Sequence, residues 1–494
     1  MTEKKHLIWI YLLSGVFILA NSILIAKEFY FLSFVPLILA LVALGLLAMD
    51  KLLLVIVFLT PISISLREFA TDLEFDLYLP TEPLLFGILL LFIFKLFSNE
   101  NMDRRIFLHP VSIAIYLNLI WIFITSITST LPLVSLKFLI ARIWFVTAFY
   151  FLATQIFSNP KNMKRYIWFY VIPFLAVIVY TIINHSQYGL VNQKAAHSAV
   201  HPFYNDHTAY GAVLAMFIPV LVGFGFTGGK AYFRRIFIWI LTGIFVFALV
   251  LSYSRAAWLS VGAAILVFIV VKLRIRIQYL IFAGIVILGL IAVSWPEIKI
   301  ALEKNRQDSS KEFSKHIQSV SNITSDVSNL ERINRWKCAV RMFNEKPFFG
   351  WGPGTYMFQY APFQVSHDRT IISTNFAEHG NAHSEYLGPL SESGVLGALT
   401  FLIIVILSVI TGLRVYQNAT EPEFKILSLS VLLGLITYFT HGFLNNFLDS
   451  DKASAPFWGF IAILVAMDVF FTSRSGIREK NETNTYRNLL SASR

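Results

Sequence analysis

Long apolar runs alternate with short polar connections along nearly the whole chain. Runs near the ~20 residues that cross a bilayer as a helix fall at 7–26, 29–48, 52–66, 83–97, 111–127, 135–157, 166–186, 207–226, 236–253, 256–271, 280–295, 396–413, 426–447 and 454–471. These windows predict an all-α polytopic membrane protein with about 12–14 transmembrane helices. One connection is different: residues 296–395 form a long polar stretch, which predicts a large, partly helical loop outside the membrane. The expected organisation is therefore transmembrane helices over 1–295, the loop over 296–395, transmembrane helices over 396–471 and a basic tail over 472–494. The first window lacks a small-x-small cleavage site and runs too long for a signal segment, so it reads as a retained helix.

Composition supports this pattern. Charged residues make up only 14% of the chain, against about 25% in soluble proteins, which excludes an ordinary soluble enzyme. With one cysteine, Cys338, the chain has no intrachain disulfide and no cysteine-built zinc site, and no cofactor is implied. The net charge of +11 would suggest nucleic acid on a soluble domain. Its placement argues instead for the lipid bilayer as partner and against nucleic acid. Alternate connections carry the basic groups, among them Lys51, Arg104/Arg105, Lys161/Lys164/Arg165, Lys230/Arg234/Arg235 and Lys272/Arg274/Arg276, while the opposite ones hold single residues such as Lys27, Arg67, Lys194, Arg255 and Lys452. By the positive-inside rule both termini are cytoplasmic and 296–395 is extracytoplasmic.

Three outward segments are long enough to hold chemistry. Arg67 to Glu82 is acidic, and Gln187 to Asp206 is rich in His and Asn. In the third, Leu330, Ile333, Val340 and Phe343 recur at helical spacing against Arg332, Arg335, Lys337 and Arg341, an amphipathic pattern whose apolar face is expected to pack on the loop or lie at the membrane surface. KPFFGWGPGTY, at 346–356, then ends the helix in a tight turn and lacks the Gly-Lys-Ser/Thr of a phosphate-binding loop.

Ionisable groups at the edges of apolar spans are costly and often functional. Arg255, in SYSRAAW, sits in a very short outward turn where a guanidinium either caps a helix or offers a fork of donors to phosphate. Lys137 and Arg142 lie inside the outer end of the sixth window, to pair with acids, snorkel or meet phosphate. The strongest cluster is EHGNAHSEYLGPLSESGVLG, with Glu378, His379, His383 and Glu385 just before a span. Histidine suits a general base near neutral pH, with a helix cap or a metal site as the alternatives. Asp449-Ser450-Asp451 is a D-x-D, a pattern seen in metal-dependent glycosyltransferases, but in a short turn beside Lys452 it reads as a solvated turn.

Three blocks resemble one family: HPFYNDHTAYGAVLAMFIP (201–219), SYSRAAWLS (252–260) and RINRWKCAVRMFNEKPFFGWGPGTY continuing to NAHSEYLGPLSESGVLG (332–397). In content and order they are similar to the O-antigen ligase and polymerase superfamily of bacterial envelope enzymes, over roughly 130–470. The resemblance implies a polytopic glycosyltransferase of the bacterial inner membrane. It would move a glycan from undecaprenyl diphosphate to a hydroxyl of lipid A-core, growing polysaccharide or protein, outside the cytoplasm and with no metal or other cofactor. It places the essential histidine on His383 and one arginine on Arg255. A second family arginine has no match, Lys194 being the nearest basic residue, with Lys137 and Arg142 as further diphosphate-binding candidates. Glu378 or Glu385 would orient the base. A lipid-linked-glycan flippase and a metal-dependent transferase built on Asp449 and Asp451 are the rival readings.

Overall fold

The computed structural model describes residues 2–69, 77–97, 102–227, 232–276, 327–370, 372–375 and 380–472, with scattered positions between 278 and 294. The chain forms two compact units, Met1–Val55 and Ile56–Arg494. The first holds α1 (Thr2–Ala26) and α2 (Val35–Leu47), and α3 (Met49–Leu59) crosses the boundary. Trp9, Leu13, Phe31 and Leu39 of this unit are more than 60% exposed, as suits helices whose solvent is lipid.

The second unit contains α4 (Thr81–Phe97), α5 (Pro110–Ile127), α6 (Pro132–Ile156), α7 (Pro160–Ser186), α8 (Gln193–Ala199), α9 (His207–Thr227), α10 (Tyr232–Leu251), α11 (Arg255–Lys272), α12 (Val327–Glu345), α13 (Leu387–Asn418), α14 (Pro422–His441) and α15 (Asp451–Phe470). Proline at the first position starts α5, α6, α7 and α14, where its missing N–H costs nothing. His109 and Asn159 cap two of these helices with side chains that accept from Val111 N–H and Lys161 N–H.

The protein is an all-α polytopic membrane protein. Among the described residues nine helices are long and apolar enough to cross a membrane: α5, α6, α7, α9, α10, α11, α13, α14 and α15. Each coincides with one of the apolar windows. The windows at 7–26 and 29–48 hold the shorter apolar stretches Tyr11–Ala26 and Phe31–Leu47. Pro61 interrupts the next, leaving α3 with 11 residues, and α4 has 17. The window at 280–295 lies largely outside the described residues.

α15 is the axis of the bundle: 89% of its apolar window is buried, against 22% for the peripheral α11. α9 and α14 pack closely beside it. At Gly434 of α14 an added Cβ would come 2.5 Å from the Met216 carbonyl of α9, so only glycine permits this helix spacing.

Residues 327–370, 372–375 and 380–386 form an arm with its own small core of Cys338, Ala339, Met342, Tyr356, Tyr360 and Ala382. Its helix α12 is turned differently from the sequence expectation. Val340 of the expected apolar face is 42% exposed, whereas Arg335 is 3% exposed. Burial of that arginine is possible because Glu331 accepts from its Nε at 2.7 Å and the Tyr360 ring lies 3.9 Å beneath its guanidinium.

The span expected from 396 begins earlier, at Leu387, and kinks at Gly394, whose φ of 69° and ψ of −168° are accessible to glycine. The KPFFGWG turn packs into this kink: Val395 N–H donates to the Pro347 carbonyl at 2.9 Å, and Gly352 N–H to the Glu392 carbonyl at 2.7 Å.

Candidate active site

His383 lies where the arm returns to the bundle, and its φ of +47° is a conformation that a non-glycine residue adopts only under constraint. Its neighbours supply the constraint. Its N–H donates to Asn381 Oδ1 at 3.0 Å, and its carbonyl accepts from Trp336 Nε1 at 3.2 Å. Ala382 is buried in the arm's core, and Glu385 N–H donates to the Gly442 carbonyl at 2.7 Å just beyond α14. His383 is thus clamped from both sides.

Arg255 is placed by the short turn from α10 into α11. Tyr253 adopts a φ of +50° and Ser254 is extended, so α11 opens with the arginine. The turn is secured by Tyr253 Oη donating to the Leu190 carbonyl at 3.1 Å and by Trp258 Nε1 donating to that of Leu249 at 2.9 Å.

Arg332, on α12, comes near enough to Arg255 for the two positive charges to act on each other. Arg332 donates through Nη1 to Asn329 Oδ1 at 3.0 Å, but its Nε is buried without a hydrogen-bond partner. Burial lowers the pKa of this guanidinium, and the carboxylate of Asp206 partly restores it. At Asp206 burial favours the neutral acid, yet the hydrogen bond and charge of His207, 3.0 Å away, and two hydrogen bonds from Thr208 outweigh it and hold the carboxyl well below the usual range. His207 in turn stacks on His197, with ring centroids 3.9 Å apart. His441, buried at the end of α14, also lies within the fields of Arg332 and Asp206.

His383 shares these charges. Burial first, then Arg332 and Arg335, push its pKa down to about 4 against the partial opposition of Asp206 and Glu331. At neutral pH the imidazole is therefore uncharged, with a free lone pair. The site combines a neutral base with two guanidinium groups, an arrangement suited to deprotonating a hydroxyl beside a bound polyanion.

Residues 236–402 match the family model described as O-antigen ligase. This match, over about a third of the chain, supports its likeness to the O-antigen ligase/polymerase superfamily. The matched span contains Arg255, Arg332 and His383. The family is one of membrane glycosyltransferases. No curated protein matches the chain at a significant level.

The remaining candidates lie elsewhere. Lys194 is exposed on α8, where Asn192 caps the helix, so Arg332 rather than Lys194 is the cation brought to Arg255. Lys137 is exposed on α6. Arg142 pairs with Asp449 at 3.2 Å and lies over the Phe138 ring. Glu385 is buried and engaged away from His383: its Oε1 accepts from Tyr438 Oη at 2.7 Å and from the N–H groups of Phe447 and Leu448 at 2.8 and 2.9 Å. That ties the α14–α15 turn in place instead of orienting the base. Glu378 and His379 lie outside the described residues.

The D-x-D pair is divided between two networks. Asp449 faces Arg142, whereas Asp451 is fully buried and its Oδ2 accepts from Ser63 Oγ at 2.7 Å and Thr81 Oγ1 at 2.5 Å. Among the described residues no three His, Cys, Asp or Glu side chains converge as a metal site.

Sequence reasoning passed over Arg332, Asp206 and His441. Arg332 was visible as one more cation on an amphipathic helix, and Asp206 as the end of HPFYND. Nothing in either local pattern says that the two meet.

Proposed function

We propose that the protein transfers a glycan from undecaprenyl diphosphate to an acceptor hydroxyl on the extracytoplasmic face of the bacterial inner membrane. His383 would take the proton of the acceptor hydroxyl as its oxygen attacks the anomeric carbon. The bond from that carbon to the diphosphate oxygen would break, with its electron pair leaving on the diphosphate, and Arg255 and Arg332 would hold the charge that grows there. A single displacement of this kind inverts the anomeric centre. A diphosphate is already a good leaving group, so the residues need to supply only a base, positive charge and proximity.

The observation that supports this reading is that Arg332 lies within electrostatic reach of both His383 and Arg255. It also links donor binding to catalysis. Burial first, and then Arg332 and Arg335, depress the basicity of His383. A bound diphosphate would offset the charge of the two arginines and relieve their part of the depression, while the larger part due to burial would remain.

The acceptor class distinguishes a ligase acting on lipid A-core, a polymerase acting on a growing polysaccharide and a transferase acting on protein. The test is transfer in liposomes from purified undecaprenyl-diphosphate glycan to each acceptor, with and without a chelator. Product formed in chelator and lost in His383→Ala supports the reading. Chelator-sensitive transfer that survives His383→Ala but not Asp449→Ala would replace it with the metal-dependent one.

A further inference from the structure

The turn between α12 and the α13 kink exposes two adjacent aromatic rings, Phe348 at 69% and Phe349 at 47%. Two markers fix its depth. Phe349 stacks on Trp121 of α5, with ring centroids 5.7 Å apart and planes 14° from parallel. Trp121 stands six residues before the end of that span, roughly 9 Å along the helix at 1.5 Å per residue. On the other side, Val395 N–H donates to the Pro347 carbonyl, which sets the turn beside the start of the apolar run of α13.

The surrounding surface is the one that spans present to lipid. Ile120 and Phe123 of α5 and Leu396 and Leu399 of α13 are between 42% and 55% exposed. Trp121 Nε1 donates to the Ser393 carbonyl at 2.7 Å, and Asn118 Nδ2 donates to Thr400 Oγ1 at 2.9 Å, joining the two helices beneath the turn. Lys346, just before the rings, lies with its ammonium 4.0 Å from the Trp351 ring centroid. A lysine and a tryptophan beside apolar rings make a pattern common where chains meet headgroups.

We propose that Phe348 and Phe349 form a wedge inserted among the acyl chains of the leaflet on the active-site side. The occupant of this apolar surface is bilayer lipid, because the surface continues the lipid-facing sides of α5 and α13 and lies below the end of α5. Ala382 belongs to the arm's core and precedes His383, so the wedge fastens to the membrane the same arm that carries Arg332 and His383. Membrane contact would thereby set the height of both residues above the bilayer. Water-facing rings at this exposure would be a large unpaired apolar patch.

The test is a nitroxide on Phe348→Cys in a Cys338→Ala background, with the protein in nanodiscs. Leu399→Cys serves as the lipid-facing control and His367→Cys as the loop control. Expected is a collision ratio of oxygen to a water-soluble nickel chelate at position 348 that approaches the Leu399 value. A ratio equal to that at His367 would overturn the wedge. Cys338 is buried in the arm, so a second measurement keeps it: p-benzoylphenylalanine at position 348 should crosslink to a labelled phospholipid on irradiation, as the same residue at 399 should. Crosslinking at 399 without crosslinking at 348 would also overturn the proposal.

Discussion

Arg332 on the arm lies within electrostatic reach both of Arg255, at the first turn of α11, and of His383. Two cations so placed repel. Asp206 offsets part of the cost at Arg332. A diphosphate would offset much more, and this gives the pair a chemical purpose.

The fork of each arginine can be separated from its charge. Arg332→Ala is expected to lower transfer about a hundred- to a thousandfold, the usual loss when one donor to a developing oxyanion is removed. Arg255→Lys keeps the charge but loses the paired hydrogen bonds and should stay strongly impaired. Lys194→Ala should turn over at nearly the wild-type rate, since its side chain is exposed. The assay is transfer from purified lipid-linked glycan in liposomes. Wild-type turnover by Arg332→Ala would remove it from the site.

Replacing His383 should abolish transfer while donor binding persists. Loss of a positioned base costs about a hundred- to ten-thousandfold, and turnover by His383→Ala near the wild-type rate would exclude it as the base. The pH profile carries a sign as well. As the proposed base His383 would act when neutral, and burial with the nearby arginines pushes its pKa down to about 4, so kcat/KM for donor should hold down to mildly acid pH and fall towards pH 4. In the donor complex the arginines' part of the depression would be offset, and the acid limb of kcat should lie somewhat higher in pH than that of kcat/KM.

The same histidine predicts a stability effect. Its folded pKa lies below the ordinary histidine value of 6.5, so the unfolded chain binds the extra proton between those two pH values. The resulting penalty is absent above the unfolded pKa and grows as pH falls towards 4. His383→Gln should therefore lose less thermal stability than wild type between pH 6.5 and pH 4. Parallel losses in the two proteins would mean that His383 does not carry the penalty.

The kink depends on one glycine. At Gly394 an added Cβ would lie 2.0 Å from the Phe348 carbonyl oxygen and would hold a backbone conformation closed to alanine. Strain of this kind costs about 1–3 kcal/mol before any clash is counted. Gly394→Ala should lower the melting temperature of the purified protein and reduce transfer, because Pro347 and Phe348 must move. An unchanged melting temperature would show that the turn adapts freely.

Topology decides which side the site faces. A reporter fused at Ser321 should be active only outside the cytoplasm, and one at Arg274, beyond the end of α11, only inside. Swapped outcomes would move the site to the cytoplasmic face.

The membrane class and most of the span positions were determined by the sequence alone, because crossing a bilayer depends on apolar transfer summed over contiguous residues. Each of the nine long apolar helices lies under a window of that kind. Arg255 and His383 also stood out locally, as charged or basic groups at the edges of such windows. What belongs to the tertiary structure is which groups meet. The hydrophobic pattern of α12 pointed Leu330, Ile333 and Val340 inward, yet the helix buries Arg335 because Glu331 and Tyr360, the latter from a later segment, satisfy it. The same helix brings Arg332 within electrostatic reach of Arg255, a place for which the family resemblance had suggested Lys194. Glu385 looked like a partner for the base and is instead occupied by Tyr438 and the turn after α14. Pairing of charges across distant segments depends on helix packing, as at Gly434 against Met216, and no local window of sequence contains that information.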